Sequence, residues 1–126
     1  MDMAEDNKLG KLIIIGDRVL IKPRSQADKT NSGLYLPPGV LEKEKVQSGY
    51  VMRVGPGYPI PMPVDESESW KESIEKVKYI PLQPQVGDLA IFLQKEAFEV
   101  LYEGEKYYIV SQNSILMLER DEDLFL

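Results

Sequence analysis

Apolar residues come in short bursts along this chain, each bounded by turn residues. "LIIIGDRVLIKP" (12–23) is dense in Leu, Ile and Val and closes on Pro23. Branched side chains pack well on a pleated surface and proline cannot donate into a ladder, so the segment predicts one strand ending there. Gly16-Asp17 predicts a bulge or kink within it. "GYVMRVGPG" (49–57) predicts a short strand running into a Gly-Pro-Gly turn, for which a tight corner needing positive φ is the reading. "VGDLAIFL" predicts a turn at Gly87-Asp88 and a buried strand over Leu89–Leu93. "FEVLYEGEKYYIV" predicts a hairpin with arms Phe98–Tyr102 and Lys106–Val110 and with Gly104 in its turn. "SILML" predicts a last strand. Five or six short strands separated by turn signals predict an all-β fold, an antiparallel barrel or sandwich.

Two stretches interrupt this rhythm. Between Gly57 and Val86, "YPIPMPV" and "YIPLQPQ" are proline-rich and predict extended connectors. Between them Ser69 and Glu72 form a capping box, and Trp70, Ile74 and Val77 fall at i, i+4, i+7. That spacing predicts a short helix near 70–78. Residues 24–48 are polar and without period, apart from "VL" at 40–41 and one burst, "SGLYLPPG" (32–39). A structureless segment of that length is unusual in a small domain and is generally functional or disordered.

Composition narrows the function. The 126 residues make one domain, and 43% hydrophobic content is enough for a core. Fifteen basic against 21 acidic residues give a net charge of −6, which argues against an electrostatic grip on nucleic acid or an anionic membrane. There is no Cys and no His. Disulfides, thiol chemistry, Cys/His zinc sites and imidazole catalysis go with them, so no cofactor, metal or catalytic residue is expected. "VGPGYP" lacks the rest of a phosphate-binding fingerprint, and the aspartates of "GDR" and "VGD" read as turn residues. Tyr102, Tyr107, Tyr108 and Phe98 read as a half-buried strand pair, since no basic cluster interleaves them. The acidic "MDMAEDNKLGK" is neither a secretory signal nor a transit peptide, and a cytoplasmic location is expected.

Leu34, Tyr35 and Leu36 are left over. One reading is a short strand packed on the domain. Such a strand would turn Leu34 and Leu36 one way and Tyr35 the other. The other is a loop with an apolar tip that inserts into another protein.

Four segments together resemble the GroES-type co-chaperonins (the chaperonin-10 family). "GDRVLIKP" resembles their opening strand, "KTNSGLYLPPG" their mobile loop, "VQSGYVMRVGPG" the strand leading to the roof, and "VGDLAIF" with "YYIVSQNSILML" the last barrel strands. The similarity runs in order from about Ile13 to Leu118. It implies one domain over 1–126. Within it lie a small irregular antiparallel β-barrel over about 12–118, a mobile loop over about 25–47, a roof insertion over about 55–85 and an acidic tail over 119–126. It implies a ring, of seven subunits, in which the first strand of one subunit pairs with the last strand of the next. It implies capping of an ATP-driven GroEL-type double-ring chaperonin and enclosure of client proteins. Leu34, Tyr35 and Leu36, with Gly33 before and Pro37 after, take the position of the chaperonin-binding tripeptide. Gly55, Pro56 and Gly57 take that of the roof turn. Tyr35 departs from the usual aliphatic centre, and the 57–86 stretch and both ends are longer than the pattern. The alternative from another class is a small β-barrel that binds nucleic acid, which needs the basic, aromatic-lined face that a charge of −6 does not supply.

Overall fold

Each apolar burst becomes a strand wherever a neighbour can receive its hydrogen bonds. The computed structural model describes residues 8–24, 33–37, 45–61 and 77–121. In order the strands are β1 (Arg18–Pro23), β2 (Val46–Val54), β3 (Tyr58–Ile60), β4 (Lys78–Ile80), β5 (Leu89–Leu93), β6 (Phe98–Tyr102), β7 (Glu105–Ser111) and β8 (Ile115–Glu119). Six form one antiparallel sheet in the order β6-β7-β1-β2-β5-β8. β3 and β4 form a separate two-stranded ribbon.

The six-stranded sheet is rolled. In its order β5 and β7 are separated by β1 and β2. In a flat sheet three strand spacings would hold them about 14 Å apart. Instead the rings of Phe92 and Tyr108 lie 5.5 Å apart between centroids. They belong to one core with Val19, Ile21, Val51, Ala90 and Val110, against which Ile115 and Leu118 of the edge strand β8 also pack. This is the inside of an all-β fold whose sheet, among the described residues, stays unpaired between β6 and β8. Two irregularities help the curvature. Leu20 pairs with Arg53 but Ile21 with Val51, so Met52 is an extra residue of β2; Leu116 is likewise extra on β8. Bulges of this kind bend a strand and raise its twist.

The opposite face of β1, β2 and β7 is covered as well. Leu20, Met52 and Tyr107 pack with Leu9, and the half-buried Leu12 and Ile14 close over them. Leu9 lies three residues before the expected start of the ordered barrel, yet it is 2% exposed. Burial on both faces explains why β5 and β7 read as continuous apolar runs.

The expected strand over 12–23 begins only at Arg18. Gly16, at φ 65°, and Asp17 form a turn, and residues 12–15 run extended without a ladder. Leu12 and Ile14 face the second core, while Ile13 (79% exposed) and Ile15 (66%) face outward. Residues 69–76 of the expected helix lie outside the described residues; at its end, Lys78 already belongs to β4.

The Gly87-Asp88 turn is fastened to the far end of the chain. Arg120 grips the buried Asp88 with Nε to Oδ1 and Nη2 to Oδ2, both at 2.7 Å, and the Gln85 amide donates to Oδ2 at 2.8 Å. Asp88 is thus a structural turn residue. Replacing Arg120 by Met strands a buried carboxylate. The expected cost is about 1–3 kcal/mol, below the roughly 3–5 of a fully buried pair because the guanidinium is partly solvated. The check is a urea midpoint that falls at unchanged slope; an unchanged midpoint contradicts it.

Candidate functional site

The segment that carries the apolar tripeptide has both roots pinned to the sheet. β1 ends at Pro23, which has no N–H to continue the ladder. The next amide, of Arg24, donates to the Ser48 carbonyl at 2.9 Å. At the other root Lys45, at φ 53°, precedes β2, and its carbonyl accepts from the Gln94 amide at 2.8 Å. β2 begins at Val46, so the ladder reaches two residues into the span expected for the mobile loop. Residues 25–32 and 38–44 of that span lie outside the described residues.

Gly33 to Pro37 run extended without strand pairing. Tyr35 is 74% exposed, whereas Leu34 and Leu36 are half-buried and Gly33 and Pro37 exposed. The side chains therefore alternate as an extended chain dictates. The Arg24 guanidinium donates from Nη1 to the Leu34 carbonyl at 2.9 Å. A side-chain carbon on Gly33 would lie 4.0 Å from Glu119 Oε2, so the tripeptide sits between the end of β1 and the end of β8. Sequence reasoning finds the tripeptide from its polar surroundings. It misses Arg24, since a guanidinium-to-carbonyl bond across ten residues leaves no compositional trace.

Gly55, Pro56 and Gly57 form the corner where β2 leaves the rolled sheet and β3 starts. The Gly55 amide donates to the Arg18 carbonyl at 2.9 Å and the Gly57 amide to the Gly16 carbonyl at 3.0 Å. Gly57 has φ 110°, and a side chain there would overlap the Ile80 carbonyl, so the position needs glycine twice over. The corner thus sets the root of the β3–β4 ribbon. The expected 55–85 insertion is described over 55–61 and 77–85.

Away from these sites the polar groups serve the fold. Ser111 Oγ donates to Asp17 Oδ2 at 2.8 Å and ties the turn before β1 to the end of β7. Tyr108 and then Glu99 hold the Lys106 ammonium above its ordinary range, on the surface of the β6–β7 hairpin. Among the described residues no group of acidic side chains is placed to hold a metal ion, and no helix is long and apolar enough to cross a membrane.

The sequence that builds this geometry matches a known family. The model of the chaperonin 10 Kd subunit matches residues 11–118. Co-chaperonin GroES of Coprothermobacter proteolyticus is 36% identical over 109 residues, covering 86% of this chain and 95% of that protein. Co-chaperonin GroES of Syntrophomonas wolfei is 36% identical over 107 residues, covering 84% and 95%. That of Rhodothermus marinus is 32% identical over 112 residues, covering 89% and 95%. Strand order, the corner at Gly55–Gly57 and the segment between β1 and β2 all fall inside the matched span, and the chain belongs to the chaperonin 10 Kd family of co-chaperonins.

Proposed function

We propose that this co-chaperonin caps a GroEL-type double-ring chaperonin as a ring of seven, docks through Gly33–Pro37 on a mobile loop, and encloses client proteins in the closed chamber. The observation that carries the proposal is the tripeptide itself. Three bulky residues stand in a polar segment whose two roots are fixed to the sheet, and the central one, Tyr35, is 74% exposed. An apolar cluster presented on a polar support is the form of an interaction site. Family membership supports this reading over the nucleic-acid-binding barrel.

The energetics favour a reversible cap. Fully burying a leucine is worth about 1.5–3 kcal/mol, and fixing each backbone residue costs about 1–2 kcal/mol. A single loop that buries three side chains and orders five residues therefore binds weakly. Joining several loops in one ring makes later contacts intramolecular and raises avidity by about 10²–10⁴-fold. Weak units that act together release together when the partner's grooves change shape. Ring closure would use the surfaces the isolated chain leaves bare. Ile13 and Ile15 point outward on one side, and Leu116 and Met117 line the open edge strand β8 on the other. Pairing the 12–15 stretch head to tail with β8 of the next subunit covers that open edge and closes into a ring.

The test is refolding of a denatured, aggregation-prone client by a GroEL-type chaperonin with ATP. Adding this chain is expected to raise the folded yield to that given by a known co-chaperonin. A yield no higher than that of chaperonin and ATP alone contradicts the proposal.

A further inference from the structure

Both roots of the β3–β4 ribbon are tied to the two surfaces to which ring closure is given above. At the entry root the Gly57 amide donates to the Gly16 carbonyl at 3.0 Å, and Gly16 directly follows the extended 12–15 stretch. At the exit root Gln83 is held from both ends of β8. Its amide donates to Gln112 Oε1 at 2.7 Å, ahead of that strand, and its carbonyl accepts from Arg120 Nη2 at 3.2 Å, just after it. These ties converge on Gln112. Its backbone amide donates to the Asp17 carbonyl at 2.9 Å, and its Nε2 reaches the Tyr58 hydroxyl of β3 at 3.5 Å.

A groove of about 510 Å³ opens beside Gln112. One wall is β8, with the exposed Leu116 and Met117; the other is Gln83 and Pro84 of the exit root. Among the described residues, the outer edge of β8 has no strand partner. The occupant that fits is the 12–15 stretch of a second copy. It is extended, joins no ladder and turns Ile13 and Ile15 outward. An open edge strand is a template for such a segment. A neighbour laid there touches β8 and the ribbon root together.

We propose that the ring contact sets the position of the ribbon, and that Gln112 is the positioning residue that couples the two. This rests on the ring closure given above. Filling the groove fixes the separation of its walls, because close-packed side chains transmit displacement. Gln112 bridges the same walls and holds both roots of the ribbon through Tyr58 and Gln83. Each ribbon is therefore steadied by the neighbour seated on its own β8. Coupling is reciprocal, so a ribbon cut loose from Gln112 weakens the ring contact in turn.

The test uses the full chain as wild type, as Gln112→Ala, which loses both side-chain bonds, and as Gln112→Glu, which keeps an oxygen for the Gln83 amide. Light scattering gives the mass. Amide hydrogen exchange is read over β3 and residues 78–83, in the ring and in subunits dispersed by Ile13→Lys/Ile15→Lys. In the wild type the ribbon is expected to exchange roughly 3- to 10-fold more slowly in the ring, since a coupling carried by one net hydrogen bond cannot exceed what that bond sustains. Gln112→Ala is expected to lose this difference and to fall apart at a higher concentration on dilution, with Gln112→Glu close to wild type. Equal exchange in ring and dispersed subunits overturns the coupling and leaves the ring standing. Exchange that Gln112→Ala speeds by the same factor in both states also overturns it, because Gln112 would then brace the subunit alone. A full ring mass for Ile13→Lys/Ile15→Lys places the neighbour outside the groove and overturns it too. A wild type of one-subunit mass overturns the ring reading, and the coupling with it. If Gln112→Ala fails to fold, the wild-type comparison decides, since it needs no substitution at that position.

Discussion

The Leu34→Ser/Leu36→Ser double variant should lose capping altogether while keeping its fold and its ring. Each loop would give up at most about 3–6 kcal/mol of burial. That ceiling falls somewhat because both leucines are half-covered in the free chain. The deficit recurs in every subunit, and avidity multiplies it, so the assembled cap fails completely rather than partly. The fold should survive because Gly33–Pro37 pair with no strand and neither leucine belongs to either core. The expected change in folding stability is within about 1 kcal/mol, the range of substitutions away from the core. Tyr35 behaves differently. Its ring is exposed, and its hydroxyl must find a partner or stay at the groove rim. Tyr35→Phe is expected to be near neutral or slightly tighter, and Tyr35→Ser weaker. ATP-dependent co-migration with the double ring measures binding, and thermal unfolding measures the fold. If the leucine variant unfolds instead, the two side chains belong to the body of the domain and the docking assignment is wrong.

Ile13→Lys/Ile15→Lys is expected to disperse the ring into folded subunits. Both side chains point away from the core that Leu12 and Ile14 help to cover, so the subunit keeps its interior. Seated against the apolar side chains of Leu116 and Met117 of a neighbouring β8, two ammonium groups would lose water at a large cost. Light scattering should report about 100 kDa for the wild type, seven subunits of 14.4 kDa, and a mass near 14.4 kDa for the variant. Circular dichroism should be unchanged. A variant that keeps the full ring mass places the subunit interface elsewhere.

The strands that could be read from the chain are those whose apolar pattern and hydrogen-bonding partners agree. Leu89–Leu93 and Phe98–Tyr102 fall where the turn residues put them, because Gly87-Asp88 and Gly104 punctuate them on the outside. "LIII" reads as part of β1 because hydrophobicity says nothing about which ladder a residue joins. β3 and β4 read as connectors. Pro59 and Pro61 suppress the strand signal, each strand has three residues, and the partner lies far along the chain. The tripeptide is legible because three bulky residues in a polar stretch contradict their surroundings. Its hydrogen bond to Arg24 is not, nor is the Asp88–Arg120 pair. Both depend on distance in space between residues whose spacing in sequence carries no period.

The most direct test of the central claim is to mix the intact chain with a GroEL-type double ring and resolve the mixture by native mass spectrometry with and without ATP. A complex is expected only with nucleotide, carrying seven copies of the chain per capped ring and absent with Leu34→Ser/Leu36→Ser. A chain that forms its own ring yet leaves the chaperonin uncapped in ATP, or one that caps equally well without Leu34 and Leu36, would contradict that claim.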